Sequence, residues 1–119
     1  MQYATLTETN DNEGEIWRFY IPYEQNREAL VLLEQRLEAQ YDEDGTDVDE
    51  RAYVLDLDDR LTEAEVDLIV KRCNHDQGYM APFIKLKGQL NIEVIRAAED
   101  LGDLLYKGGL EQVMKKETP

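Results

Sequence analysis

Hydrophobic and polar positions change period several times along the chain, and each change marks an element. Residues 3–9 (Tyr-Ala-Thr-Leu-Thr-Glu-Thr) alternate and are rich in β-formers. Asn10-Asp11-Asn12-Glu13-Gly14 is a dense turn signal. Residues 15–21 alternate again, with Trp17, Phe19 and Ile21 on one face and Arg18 and Tyr20 on the other. Two alternating runs around a short glycine-containing loop predict a β-hairpin. Pro22 ends the second strand.

The period then lengthens. Leu30, Leu33 and Leu37 fall at i, i+3 and i+7, and Ala29 and Leu32 widen the stripe, which predicts a helix over 24–40. Residues 41–51 read as an acidic loop centred on Gly45, and 52–56 as a short buried strand. Thr62 followed three residues later by Glu65 is a capping box, with Leu61 and Val66 at the hydrophobic-staple positions. Glu63 and Glu65 complement the positive end of that helix. Val66, Ile69, Val70 and Cys73 form its buried stripe, and the polar run from Asn74 to Gly78 stops it. Residues 79–87 predict a further strand, at an edge or beginning at Pro82. Asn91 caps a last helix to about Lys107, with Ile95, Ala98, Leu101 and Leu105 on one face, and Leu110 to Lys116 adds a turn.

The order β-β-α-β-α-β-α predicts an α+β fold, one domain spanning residues 1–119. Its mixed sheet has three or four strands. Helices pack mainly on one face, because Arg18, Tyr20, Lys85 and Lys87 leave the other partly wet.

Composition narrows the chemistry. At 119 residues and 42% hydrophobic, the chain can bury one core. No apolar run approaches the roughly eighteen residues of a membrane span, and Met1-Gln2-Tyr3-Ala4-Thr5 lacks the pattern of a signal peptide. The single cysteine, Cys73, excludes an internal disulfide and predicts a reducing, cytoplasmic setting. Serine is absent, which removes serine nucleophiles, and a lone histidine, His75, removes multi-histidine metal sites.

Charge changes the picture most. There are 27 acidic residues against 13 basic, a net charge of −14. Twelve of the acids lie in residues 42–67 beside two arginines, whereas residues 68–119 hold seven acids and eight bases. Such a segment repels nucleic acid and anionic membrane, so a basic protein surface or a cation is the natural partner. The plainer alternative is a solvated face that keeps a small protein soluble.

Several constellations invite a chemical reading. Val54-Leu55-Asp56-Leu57-Asp58-Asp59-Arg60-Leu61 resembles the first motif of haloacid-dehalogenase-type phosphatases. The resemblance implies a nucleophile at Asp56 and an acid/base at Asp58, with Arg60 where that motif has threonine. Asp42, Asp44, Asp47 and Asp49 suggest a calcium loop, but counting from Asp42 the sixth position is Asp47 and the twelfth Tyr53, not Gly and Glu. Cys73, His75 and Asp76 crowd together, yet Cys73 fits the apolar stripe of its helix and two soft ligands are too few for structural zinc. No glycine-rich phosphate loop occurs. Of Trp17, Tyr20, Tyr23, Tyr41, Tyr53 and Tyr106, most are expected to be core or core-edge rings, and any exposed beside the acidic segment would anchor an interface.

The expectation is therefore a cytoplasmic, non-enzymatic protein-binding domain with no cofactor or metal. Its acidic surface fills the basic, nucleic-acid-facing groove of a nuclease or other nucleic-acid-binding protein by charge mimicry. Inhibitors of the anti-defence or immunity type work this way. The expected contact residues are Asp42, Glu43, Asp44, Asp47, Asp49 and Glu50 on an adaptable loop, and Asp58, Asp59, Glu63 and Asp67 around a strand end and helix start. A structural or adaptor subunit of a cytoplasmic assembly is the alternative, and an enzyme using Asp56 and Asp58 ranks third.

Overall fold

A computed structural model describes residues 1–10, 15–44, 51–77, 83–99, 101, 104–105 and 109–115. The fold is α+β, a four-stranded mixed sheet with three helices. The elements are β1 (Gln2–Asn10), β2 (Glu15–Pro22), a 3-10 turn (Glu24–Asn26), α1 (Arg27–Asp44), β3 (Arg51–Thr62), α2 (Glu63–Gln77), β4 (Phe83–Lys85), α3 (Ile92–Ala97) and a 3-10 turn (Gly109–Val113). Among the described residues no helix is long and apolar enough to cross a membrane. Backbone contacts divide the chain into two compact units: Met1–Glu24 with Val48–Lys87, and Gln25–Asp47 with Gly88–Pro119.

The first unit holds the sheet, in the order β3-β1-β2-β4. β1 pairs antiparallel with both β2 and β3, and β4 adds a short parallel edge beside β2. The hairpin register sets Leu6 opposite Phe19 and Thr5 opposite Tyr20. α2 covers the face that carries Tyr3 and Tyr20. Val66, fully buried, meets those two rings, with Leu61, Ile69, Val70 and Phe83 around them. The opposite face of the same strands is buried too, at Ala4, Leu6, Phe19, Ile21 and Leu55. The wet face expected from Arg18, Tyr20, Lys85 and Lys87 is thus corrected at Tyr20, which is 2% exposed. Its ring lies in the α2 core, and Arg18 lies with its guanidinium 5.6 Å from the centroid of Phe83.

The second unit is helical. Ala29, Leu30, Leu33 and Leu37 of α1 are buried, as their spacing predicts, and so are Ile95, Leu101 and Leu105. Asn26 is its buried polar residue among the described ones. Its Nδ2 donates to the Gly88 carbonyl at 3.1 Å, and its Oδ1 accepts from the Leu90 amide at 2.8 Å. Both ends of the amide are satisfied, as burial demands. Gly88 has φ +95°, a left-handed conformation suited to glycine. Beyond it, Leu90 bridges Met114 and the Asn91 amide donates to the Val113 carbonyl at 2.6 Å.

Element boundaries depart from the pattern in several places, and the strand expected over 79–87 ends at Lys85. The first helix opens as a 3-10 turn and continues to Asp44, so Asp42, Glu43 and Asp44 are helical and not part of a loop. Nothing before Gly45 breaks a helix. β3 runs to Thr62 rather than Asp56, because it resumes pairing after an irregular stretch. α2 continues through Asn74 and His75 to Gln77. The last helix is interrupted: Ala98 turns extended at φ −65°, ψ 126°, and Leu101 and residues 104–105 are helical again. Local propensity gives no reason for a break beside two alanines. Pro82 lies outside the described residues.

Candidate functional site

The acidic run of the first unit is built on an irregularity in β3. Asp56 pairs with Thr5 of β1, and the next recorded pair is Leu61 with Tyr3. One residue of β1, Ala4, therefore spans the interval in which β3 uses Leu57, Asp58, Asp59 and Arg60. The extra length bulges out of the ladder. Asp56 fixes its near side. Its Oδ1 accepts the amides of Asp58 at 3.0 Å and Asp59 at 3.1 Å, an Asx turn. Arg60 fixes its far side. Its Nη1 donates to the Leu57 carbonyl at 3.0 Å and its Nε to Gln2 Oε1 at 3.1 Å, while the guanidinium lies 4.2 Å from the centroid of the Tyr23 ring. That distance is well within cation–π range. Asp58 and Asp59 are exposed on the bulge so held.

The capping box follows directly. The Glu65 amide donates to Thr62 Oγ1 at 3.2 Å, and the Thr62 amide donates to Glu65 Oε1 at 3.0 Å, with the Thr62 hydroxyl on the same oxygen at 2.9 Å. The backbone bond from Thr62, then the hydroxyl, holds the Glu65 carboxyl below the usual glutamate range. The amide of Glu63, next in the chain, donates to the Met1 carbonyl at 3.2 Å.

Glu63 and Asp67, one helical turn apart, face Lys85 of β4. Lys85 Nζ donates to Asp67 Oδ1 at 2.7 Å and to Glu63 Oε2 at 3.1 Å. Tyr3 Oη donates to the same Glu63 oxygen at 3.2 Å, and Lys85 Nζ sits 5.6 Å from the Tyr3 ring centroid. The lysine is held protonated well above its ordinary value, by Asp67 first and Glu63 second. The Glu63 carboxyl is lowered, by Lys85 and then Tyr3. Burial raises the Tyr3 phenol. The clasp ties the sheet's short edge strand to α2. Its carboxylates are more than half exposed, at 52% and 56%, so its net contribution to stability is small.

The ten expected contact residues thus fall into different places. Asp58, Asp59, Glu63 and Asp67 lie exposed on one continuous bulge-to-helix segment. Two of these four already share a counter-ion in Lys85. Asp42, Glu43 and Asp44 lie in the last turn of α1, in the other unit. Asp47, Asp49 and Glu50 lie outside the described residues. Asp56 directs one carboxylate oxygen at two backbone amides, a turn-forming role. Cys73, His75 and Asp76 belong to the last part of α2. Among the described residues no three His, Cys, Asp or Glu side chains are grouped to hold a metal ion. The pattern of the sequence did not reveal Lys85 as the counter-ion of α2. The strand pairing that places β4 beside β2 is non-local, and only that pairing brings Lys85 to the helix.

No protein-family model matches the chain, and no curated protein or solved structure is significantly similar to it.

Proposed function

We propose that the protein is a non-enzymatic, cytoplasmic binding domain that regulates or blocks a nucleic-acid-binding protein, a nuclease above all, by occupying its basic groove. The observation that supports this reading is the bulge of β3. Two adjacent exposed carboxylates, Asp58 and Asp59, stand on backbone fixed by Asp56 and Arg60. Preorganised charges lose less ordering entropy on binding than charges on a mobile loop. Six carboxylates between Asp56 and Asp67 stand against two cations, Arg60 and Lys85, so the segment keeps a strong negative bias. DNA presents one charge per roughly 1.7 Å of axis, and a groove evolved for it attracts such a segment at short range. Asp58 and Asp59 lead the contact. Glu63 and Asp67 contribute through the charge left over from Lys85.

The test begins with affinity capture of the partner and measurement of association from about 50 mM to about 500 mM NaCl, across which exposed charges become screened. The on-rate falls steeply with salt. Reversal of Asp58 and Asp59 together to lysine lowers it further than reversal of Asp44 and Asp47. A rate indifferent to salt and to both pairs would return the acidic segment to a merely solubilising role.

A further inference from the structure

Lys85 occupies the place that a partner's cation would take on α2. Its Nζ binds one oxygen of Asp67 at 2.7 Å and one of Glu63 at 3.1 Å. The backbone brings it there. Lys85 pairs with Tyr20 of β2, and the next amide, that of Leu86, donates to the Tyr20 carbonyl at 2.9 Å. A cation tethered in this way acts at a high effective concentration, so a cation from outside meets a competitor already in place. The competitor is nevertheless displaceable. The carboxylates are 52% and 56% exposed, and ion pairs so exposed are held by little net free energy.

The other cation of the segment behaves differently. The Arg60 guanidinium is directed at the Leu57 carbonyl, Gln2 Oε1 and the Tyr23 ring, which leaves the Asp58 and Asp59 carboxylates exposed. One part of the acidic segment is therefore open, and the other is occupied by the chain itself. We propose that Lys85 is an autoinhibitory counter-ion, which holds the Glu63–Asp67 pair against a partner's cations and so lowers the affinity of the acidic segment for them. A partner engages all four carboxylates only by displacing Lys85, so the lysine selects for densely basic surfaces over weakly basic ones. This inference rests on the reading of the segment as a surface for a basic partner.

The probe is a fluorescein-labelled oligo-arginine peptide, titrated with the full chain at about 50 mM NaCl, where exposed charges are little screened. Lys85→Gln is expected to bind it about threefold more tightly, the effect of removing one unit charge several ångströms from the probe in a watery setting. Lys85→Arg binds as wild type. Lys115→Gln, in the other unit, makes the same change in net charge and gains much less. Side-chain carboxyl carbon resonances locate the contact: the probe shifts those of Asp58 and Asp59 in both proteins, and those of Glu63 and Asp67 more strongly in Lys85→Gln. Circular dichroism checks folding, and Lys85→Met, which keeps the aliphatic stem, serves as a second neutral variant. If wild type binds the probe but Lys85→Gln and Lys85→Met gain no more than Lys115→Gln, the autoinhibitory role is overturned and the acidic surface stands. If neither wild type nor the Lys85 variants bind the probe, the reading of a surface for a basic partner is overturned and this inference with it.

Discussion

In the bulge of β3, Asp58 and Asp59 hold their carboxylates out to solvent; a few residues on, Glu63 and Glu65 commit theirs to Lys85, Tyr3 and Thr62. The two stretches are adjacent in the chain and equally acidic, yet they do different work. What separates them is the structure that crosses them. The helix start offers unpaired amides, and β4 delivers a lysine. The bulge offers only its own backbone, and that is taken up by Asp56. A run of like charge is therefore not one feature. Part of it is structural, and the part left over stands exposed to solvent.

The largest effect that sharpens this contrast is removal of the anchor beneath the helix. Val66→Ala, at a fully buried position, is expected to cost about 2 kcal/mol, from lost transfer energy and a small cavity. Denaturant unfolding measures it. The Lys85 clasp should loosen with α2, read as loss of the Tyr3 contribution to near-ultraviolet circular dichroism. Thr62→Ala comes next, at about 1 kcal/mol for a lost cap. An unchanged midpoint would mean that the helix does not begin there. Asp56→Ala removes the acceptor for two amides and is expected to cost roughly 1 kcal/mol, whereas Asp56→Asn keeps that acceptor and costs little.

A smaller effect depends on pH. The Glu65 pKa lies below its ordinary 4.5 in the folded state, so its charge stabilises the fold above that value, and the benefit is lost as pH falls through the folded pKa. Melting midpoints of wild type and Glu65→Gln should differ near neutrality and converge below pH 4.5. A difference constant across that range would mean that the charge is not what caps the helix. The smallest effect belongs to the bulge. Asp58→Asn with Asp59→Asn should leave the thermal midpoint unmoved or slightly raised, since self-repulsion falls. A clear loss of stability would erase the distinction between the two stretches.

Local pattern carried much of this architecture. The hairpin, the α1 stripe, the capping box at Thr62 and the cap at Asn91 all follow from contacts within a few residues. Asn91 accepts from the amides of Glu93 and Val94, as its position predicts. What the pattern missed is non-local. Tyr20 reads as a wet-face residue until α2 is laid over it. β3 reads as ending at Asp56 because four irregular residues interrupt the alternation before pairing with β1 resumes. Of the candidate site, the exposure of Asp58 and Asp59 was legible. The clasp of Glu63 and Asp67 on Lys85 needed the parallel pairing of β2 with β4, which nothing in a single run of residues encodes.

β3 is also the outermost strand on its side of the sheet among the described residues. A strand of twelve residues with an open edge can template the addition of another chain and so start a fibre. Val54, 62% exposed just before the bulge, would favour such stacking. The bulge interrupts the edge three residues later, occupies the amides of Asp58 and Asp59, and sets like charges beside the edge that a second strand would have to pair with. The same irregularity that displays the carboxylates thus guards the sheet against growing, and a chain shortened there to restore a flat strand would be expected to aggregate.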